Sequence, residues 1–281
     1  MLIAPIETAL HGRERQRQST LPWRRVQGKG LTMWSRNKQR SLHRARLTTR
    51  LFDALDAYHD ATPHSAAVNM AIDEALLESA TVPSIRFYRW RSPALSFGYF
   101  GKFADVAIYA SERDLVRRWT GGGIVLHEDD LTYSIVIPAR DQAFAESSIV
   151  IYESIHRALC ASLNGIGERA IVAGGVDPVR ITVVKQATVS ASTEHCFANP
   201  VRADVMINGR KVAGAAQRRT RRGVLQQGSI QSIRIDKDLA QKFAGTLSAE
   251  CRRREITKRL LQRARELARQ KYGADSWLRR M

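Results

Sequence analysis

Cysteine is scarce: only Cys160, Cys196 and Cys251 occur in 281 residues. They are odd in number, far apart and free of any C-x-x-C pair, which argues against a disulfide framework and against a zinc site. A reducing, cytoplasmic compartment suits that usage. No apolar run reaches the roughly 18 residues that a membrane-spanning helix needs. The basic leader lacks the apolar core of a secretory signal. Internal repeats are absent, and the core holds no low-complexity block. No zinc finger, RNP-type strand or clear helix-turn-helix is present, so the basic charge has no nucleic-acid-binding motif to accompany it.

What the chain does have is length for one large domain or two small ones, and a net charge of +18. Residues 1–50 carry twelve Lys or Arg against Glu7 and Glu14, a balance of +10, which leaves +8 for the other 231 residues. Such a stretch suits nucleic acid or acidic partners. It equally suits a disordered leader, or a start upstream of a true one at Met33. Being Arg-rich and acid-poor, it also resembles a transit peptide. The expected organisation is a basic, disordered tail over 1–47 and a catalytic domain over 48–281.

Residues 50–58 read as a strand. Ser65 is a good N-cap for a helix over A-A-V-N-M-A-I-D-E-A-L-L-E-S-A, with Asn69, Asp73 and Glu74 on its polar side. Ser84–Trp90 and Ala94–Phe97 read as strands, Gly98–Gly101 as a turn, and Phe103–Asp114 as a short helix. Strands over 115–119, 124–127 and 131–138 follow, the last two forming a hairpin around Glu128-Asp129-Asp130. Ser147 or Ser148 caps a helix in which Ile151, Ile155, Leu159 and Leu163 share a face, with Cys160 as a small buried neighbour. Residues 174–194 read as a mobile loop, strand-like over 179–184; loops of that length are often lids. Asn208-Gly209 between two apolar runs is a strong hairpin signal. Residues 223–235 complete a sheet, and everything from Asp236 is expected to be helical and basic, with Cys251 exposed.

The chemistry concentrates in two stretches. The first, R-R-W-T-G-G-G-I-V-L-H (117–127), sets Arg118 and Thr120 before Gly121, Gly122 and Gly123. Without Cβ atoms this backbone can bend sharply and approach a ligand, and Arg118 can meet an anionic group; a plain glycine-rich turn is the alternative. His127 could act as a general base, touch the polar end of a substrate, or be a hydrogen-bonded hairpin residue. In the second stretch, Cys196 stands in H-C-F-A-N-P and Lys211 follows the Asn-Gly turn, so the hairpin can bring Lys211 back toward the strand that Cys196 feeds. A nearby ammonium raises a thiol's thiolate fraction and can polarise an acyl carbonyl. A buried cysteine and a solvated lysine are the alternatives. His195 points to the opposite strand face from Cys196. Asp204 could anchor Lys211, receive an incoming amine, or be a surface carboxylate.

Together N-M-A-I-D-E-A-L-L (69–77), I-R-F-Y-R-W (85–90), S-F-G-Y-F (96–100), the Gly-rich stretch, L-T-Y-S (131–134), N-G-R-K-V-A-G-A-A-Q (208–217) and L-Q-Q-G-S-I (225–230) resemble the lipoate/biotin protein ligase and octanoyltransferase superfamily. The motifs are collinear over about residues 50–235, with a weaker echo in K-Y-G-A-D-S-W near the end. With Cys196-Phe197 ahead of the G-R-K hairpin, the chain is most similar to the cysteine-dependent octanoyltransferases of the lipoate-ligase-like branch. The resemblance implies an α/β (α+β) fold of mixed, mostly antiparallel sheets flanked by helices, with an acyl tunnel between sheet and Gly loop. It implies transfer of octanoyl from acyl carrier protein to Cys196 as a thioester, then to a lysine of a lipoyl domain. The glycine cleavage H protein and 2-oxoacid dehydrogenase E2 subunits are such acceptors. Lys211 matches the lysine that contacts the acyl carbonyl. Arg118, Thr120, Gly121, Gly122, Gly123, His127, Asp204, Gly214 and Ala215 fall at substrate-binding positions. No metal or nucleotide cofactor is implied, and neither membrane nor nucleic acid is an expected partner.

Two departures stand out: Ala215 or Ala216 where several relatives have Ser, and the N-terminal tail, which has no family counterpart. Two enzymatic alternatives share these motifs. An ATP- and Mg-dependent lipoate-protein ligase would use Arg118 and the Gly loop to hold an adenylate phosphate. An octanoyl amidotransferase would move the acyl group between lipoyl domains. A basic nucleic-acid-binding protein is the non-enzymatic alternative.

Overall fold

A computed structural model describes residues 50–174 and 200–280. Cys196, His195, the N-terminal tail and nearly all of the expected 174–194 loop lie outside the described residues.

The strands are β1 (Phe52–His59), β2 (Ser84–Tyr88), β3 (Ala94–Phe97), β4 (Asp114–Arg117), β5 (Val125–His127), β6 (Leu131–Pro138), β7 (Ala170–Val172), β8 (Val205–Ile207), β9 (Arg210–Thr220), β10 (Gly223–Ile230) and β11 (Ser248–Arg254). The helices are α1 (Ala66–Ser79), α2 (Ser148–Asn164), α3 (Leu239–Leu247), α4 (Lys258–Leu267), prolonged by a π-helical turn at Ala268–Tyr272, and α5 (Asp275–Leu278). One sheet has the order β11-β1-β2-β6-β10-β9-β8-β7 and the other β4-β3-β5. Three neighbouring pairs, β1–β11, β1–β2 and β3–β4, are parallel and the rest antiparallel. This is the expected mixed, mostly antiparallel architecture with helices on its flanks. No helix among the described residues is long and apolar enough to cross a membrane.

The β8–β9 hairpin turns through Asn208 and Gly209, both with positive φ (49° and 76°), the backbone that an Asn-Gly turn supplies. α2 begins where Ser147 accepts from the Val150 N–H at 3.4 Å, and its Ile151, Ile155, Leu159 and Leu163 are fully buried. Cys160 is buried beside them, and burial pushes its thiol up to about 12, which leaves it inert.

Several expectations are corrected. Ser65 sits at the N-cap of α1, but its side chain makes no capping bond; Asp114 accepts the Ala66 N–H instead, at 2.8 Å. Asn69, Asp73 and Glu74 form the polar side of α1 without facing solvent. α1 is enclosed on nearly all sides, and those groups are buried. Residues 103–109 form two short 3-10 turns in place of one helix. β5 and β6 do not form a hairpin: β5 pairs with β3 in the small sheet and β6 with β2 and β10 in the large one. The acidic turn therefore carries the chain between sheets. Residues after 236 are not all helical, because β11 forms an edge strand whose residues 249–254 are exposed, Cys251 included. β7 was not anticipated at all.

The buried polar groups of α1 are satisfied across the fold. Asp73 Oδ1 accepts from Arg86 Nη1 at 2.9 Å and Ser134 Oγ at 2.7 Å, and its Oδ2 accepts from Tyr88 Oη at 3.1 Å and Gln227 Nε2 at 2.7 Å. Arg86 also donates to Asp60 and Asn69. A buried ion pair this completely hydrogen-bonded costs little once formed, and losing one member would strand the others. The network locks α1 onto β2, β6 and β10 beneath the functional site.

Candidate active site

Between the small sheet and β9–β10 lies a narrow cleft, partly open to solvent. Met70, Tyr88, Trp90 and Val125 give it an apolar body, and Arg118, Ser96 and His127 a polar corner. Gly122, Gly214, Ala215 and Ala216 supply close-packed backbone walls.

The glycine loop is held from below. Arg118, buried, donates from Nη2 to the carbonyls of Gly121 (3.0 Å) and Gly123 (2.7 Å), and from Nη1 to Ser96 Oγ at 2.7 Å. Gly122 takes φ +84°, and a Cβ there would press on Ala216 and Arg118, each at 3.3 Å. A residue with a side chain would be strained there by backbone and by space. Thr120 is turned away from the cleft; its hydroxyl donates to Gln227 Oε1 at 2.8 Å and so braces the loop against β10.

Ser96 continues a directional chain. Its hydroxyl lies 2.7 Å from His127 Nε2, and His127 Nδ1 lies 2.8 Å from Asp130 Oδ2. Because Ser96 Oγ already accepts from Arg118, it donates to Nε2. Nδ1 then carries the proton and donates to Asp130, the assignment the network favours. Burial lowers the His127 pKa, Asp130 partly offsets this, and Arg118 and Arg113 add to it, so the ring is neutral. For Asp130, burial acts upward, but His127, Ser229 and Thr132 together hold its carboxyl below the usual range. Trp90 stacks on His127 with centroids 4.0 Å apart and donates to Thr132 Oγ1 at 2.8 Å. Fixed on every side, His127 serves as a rigid wall.

The opposite corner is built around one ion pair. Lys211 Nζ lies 2.8 Å from Asp204 Oδ2, both side chains almost wholly buried. Asp204 Oδ1 accepts from Tyr152 Oη at 2.7 Å, and Oδ2 also accepts the Val201 N–H at 2.7 Å. Tyr152 Oη in turn accepts the Ala215 N–H at 3.1 Å. His156, one helical turn on, donates from Nδ1 to the carbonyl of Ala203 at 2.6 Å, and Ala203 adopts φ 70°. Two side chains of α2 thus set the bend that presents Asp204. A Cβ on Gly214 would stand 2.6 Å from Lys211 Cε and 2.8 Å from Nζ, so any other residue there would displace the amine from its present position.

Of the expected site residues, Arg118, Gly122, His127, Gly214 and Ala215 line the cleft. Gly121 and Gly123 act through their carbonyls, Thr120 from behind, and Lys211 and Asp204 as a pair at the wall. Asp204 takes the anchoring role, and the surface-carboxylate alternative is excluded. Sequence reasoning missed Ser96, Asp130, Tyr152 and His156. The last two had a faint signal, an i, i+4 Tyr/His pair on an apolar helix.

The match to known proteins agrees with this geometry. The model of the lipoyl protein ligase A/B catalytic domain matches residues 65–270. The chain belongs to this family. Among curated relatives, octanoyltransferase LipM of Oceanobacillus iheyensis is 36% identical over 182 residues, covering 62% of this chain and 63% of that protein. LipM of Carboxydothermus hydrogenoformans is 38% identical, also over 182 residues, with 62% and 63% coverage. The chain thus spans a little under two thirds of the length of these relatives. Among solved structures, a putative lipoate protein ligase from T. acidophilum superposes with a TM-score of 0.63 at 22% identity, covering 81% of this chain and 99% of that one. A lipoate-protein ligase A bound with ATP gives 0.62 at 22% identity, with 80% and 98% coverage. These two share the lipoyl-ligase-type fold with this chain.

Proposed function

We propose that this protein is an octanoyltransferase of protein lipoylation. It takes octanoyl from acyl carrier protein onto Cys196 and passes it to a lysine of a lipoyl domain. The observation that carries the reading is the buried Lys211–Asp204 pair packed on Gly214, which itself lines an apolar cleft. The LipM relatives support the acyl group and the reaction class.

In the first step the Cys196 thiolate attacks the carbonyl of the carrier thioester, and the carrier thiolate leaves and takes up a proton. In the second, the neutral amine of the acceptor lysine attacks the Cys196 thioester. An amide forms, the Cys196 thiolate is released, and the amine's proton passes to solvent. In both steps negative charge develops on the carbonyl oxygen, and the Lys211 ammonium donates to it. Asp204 keeps Lys211 aimed. The Gly121–Gly123 loop, Arg118 and His127 hold the acyl group still, and the thioester needs no ATP, metal or other cofactor for activation. Lipoyl-domain proteins such as the glycine cleavage H protein and dehydrogenase E2 subunits are the acceptors. One archaeal ligase of the same fold was solved as part of a system with its E2 lipoyl domain. Cytoplasmic residence fits the reduced cysteine usage.

The test supplies octanoyl-carrier protein and an apo lipoyl domain without ATP and follows the acceptor by intact mass. Octanoylation that proceeds without ATP is expected. Octanoylation that requires ATP and free octanoate would establish the ligase chemistry instead, and a donor that must itself be a lipoyl domain would establish amidotransfer.

A further inference from the structure

The R-R-W-T motif holds a second arginine that the acyl site does not use. Arg117 is buried and donates outward, away from the cleft corner that Arg118 serves. Its guanidinium reaches the carbonyls of Tyr99 (2.9 Å), Gly101 (2.6 Å), Trp277 (2.9 Å), Leu278 (2.9 Å) and Arg280 (2.7 Å). A full hydrogen-bond complement is thus spent on fixing the Gly98–Gly101 turn against the last residues of the chain.

What this fixes is a surface. Arg280 is laid over the Tyr99 ring at 4.7 Å, and Arg218 of β9 lies over the same ring at 5.0 Å and over Trp119 at 5.3 Å. Neither Arg218 nor Arg280 has a carboxylate partner among the described residues, whereas nearby Lys271 is neutralised by Glu74 at 2.6 Å. Phe100 meets Tyr99 edge-on at 5.0 Å and is 84% exposed, the most exposed large apolar side chain among the described residues. An exposed aromatic flanked by two arginines held on ring faces is a rigid hot spot for a protein with carboxylates around an apolar point.

The surface adjoins the acyl site. A Cβ on Gly98 would fall 2.0 Å from the Gly122 carbonyl oxygen, and the Tyr99 N–H donates to Thr120 O at 2.9 Å. The Phe100 turn is therefore packed directly on the glycine loop that walls the cleft. Accepting the octanoyltransferase reading, we infer that Phe100, Arg218 and Arg280 form the docking surface for the acyl acceptor, an acidic lipoyl-type domain. The acceptor is favoured over the donor by reach. A target lysine has only a four-carbon stem, so its domain must rest against the rim of the cleft, whereas a carrier delivers its thioester on a long prosthetic arm and can sit further off.

The test separates the two half-reactions. Enzyme acylation by octanoyl-coenzyme A is read by intact mass, and transfer to apo H protein is read as KM and kcat. Phe100→Ala and the double variant Arg218→Glu/Arg280→Glu should each raise the KM for H protein about tenfold or more. They should leave kcat and self-acylation within about twofold, and Arg218→Lys/Arg280→Lys should recover most of the loss. An unchanged KM overturns the inference. So does an equal loss of self-acylation, which would make the patch a brace for the cleft. So does a rise confined to the KM for octanoyl-carrier protein, which would place the donor there. If the wild-type enzyme forms no acyl adduct, the transferase reading itself has failed. Titration of apo H protein into wild type and the charge-reversed variant then tests the surface alone, and equal Kd values refute it.

Discussion

The glycine-loop wall and the lysine wall of the cleft both bury charge, and they secure it in different ways. On the first, Arg118, Ser96, His127 and Asp130 belong to β3, β5 and the loops beside them, and each satisfies the next. On the second, the Lys211 ammonium meets the Asp204 carboxylate, which is aimed by Tyr152 and His156 from α2. A network hydrogen-bonded along its length is rigid, with Asp130 Oδ1 its one buried side-chain atom left without a partner among the described residues. The Lys211 ammonium, held by Asp204 against Gly214, is pre-aimed. On the proposed function, the first wall holds the acyl group and the second polarises its carbonyl.

The contrast is broken most directly at Lys211. Lys211→Met should lower acyl transfer by about 10²–10³-fold, the usual cost of losing a preorganised donor to an oxyanion. It should also destabilise the fold by about 3–5 kcal/mol, because Asp204 is left buried without its partner. Transfer rates at a permissive temperature together with denaturant unfolding separate the two effects. Gly214→Ala keeps both charges and pushes the amine off the wall, so transfer should fall by about 10²-fold in an enzyme that still folds.

The α2 support gives a pH signature. Burial pushes His156 down to about 4, against roughly 6.5 in an unfolded chain. The unfolded state therefore binds the proton first. Stability should fall as pH drops from about 6.5 and level off below about 4, losing about 3 kcal/mol in all. His156→Asn should reduce that slope, read from unfolding curves across the range, the remainder being owed to His127, whose pKa burial also lowers; an unchanged slope would assign it to another group. The smallest effect on transfer is expected at the other wall. Ser96→Ala strands Arg118 Nη1 and His127 Nε2 and should cost about 1–3 kcal/mol of stability, while transfer at a permissive temperature stays within a few-fold. A collapse of transfer would move the chemistry to that wall.

How far the sequence revealed these walls depended on whether partners lay close in the chain. The Lys211 corner was legible because Asn208-Gly209 folds β9 back on β8, so Asp204 and Lys211 were natural neighbours. The glycine loop was legible from composition, and Gly122 uses the left-handed backbone that its neighbours could also have supplied. The hairpin assigned to residues 124–138 failed because alternation marks a strand without naming its partner, and β5 and β6 pair into different sheets. Asn69 and Asp73 were legible as the polar side of a helix but not as buried, because polar residues are usually exposed and their partner Arg86 lies on another element. β11 was hidden because S-A-E-C-R-R-R has charge on both faces, which only an exposed edge strand tolerates. Tyr152 and His156 point from a helix that reads as pure core, and nothing local marks what they hold.

The central claim is that the acyl group passes through Cys196 under the influence of Lys211. Intact mass of the enzyme after mixing with octanoyl-carrier protein, without ATP, tests it most directly. One octanoyl adduct mapping to Cys196 is expected, absent in Cys196→Ala and forming about 10²-fold or more slowly in Lys211→Met. An adduct that survives Cys196→Ala, or forms at the wild-type rate without Lys211, would contradict the account.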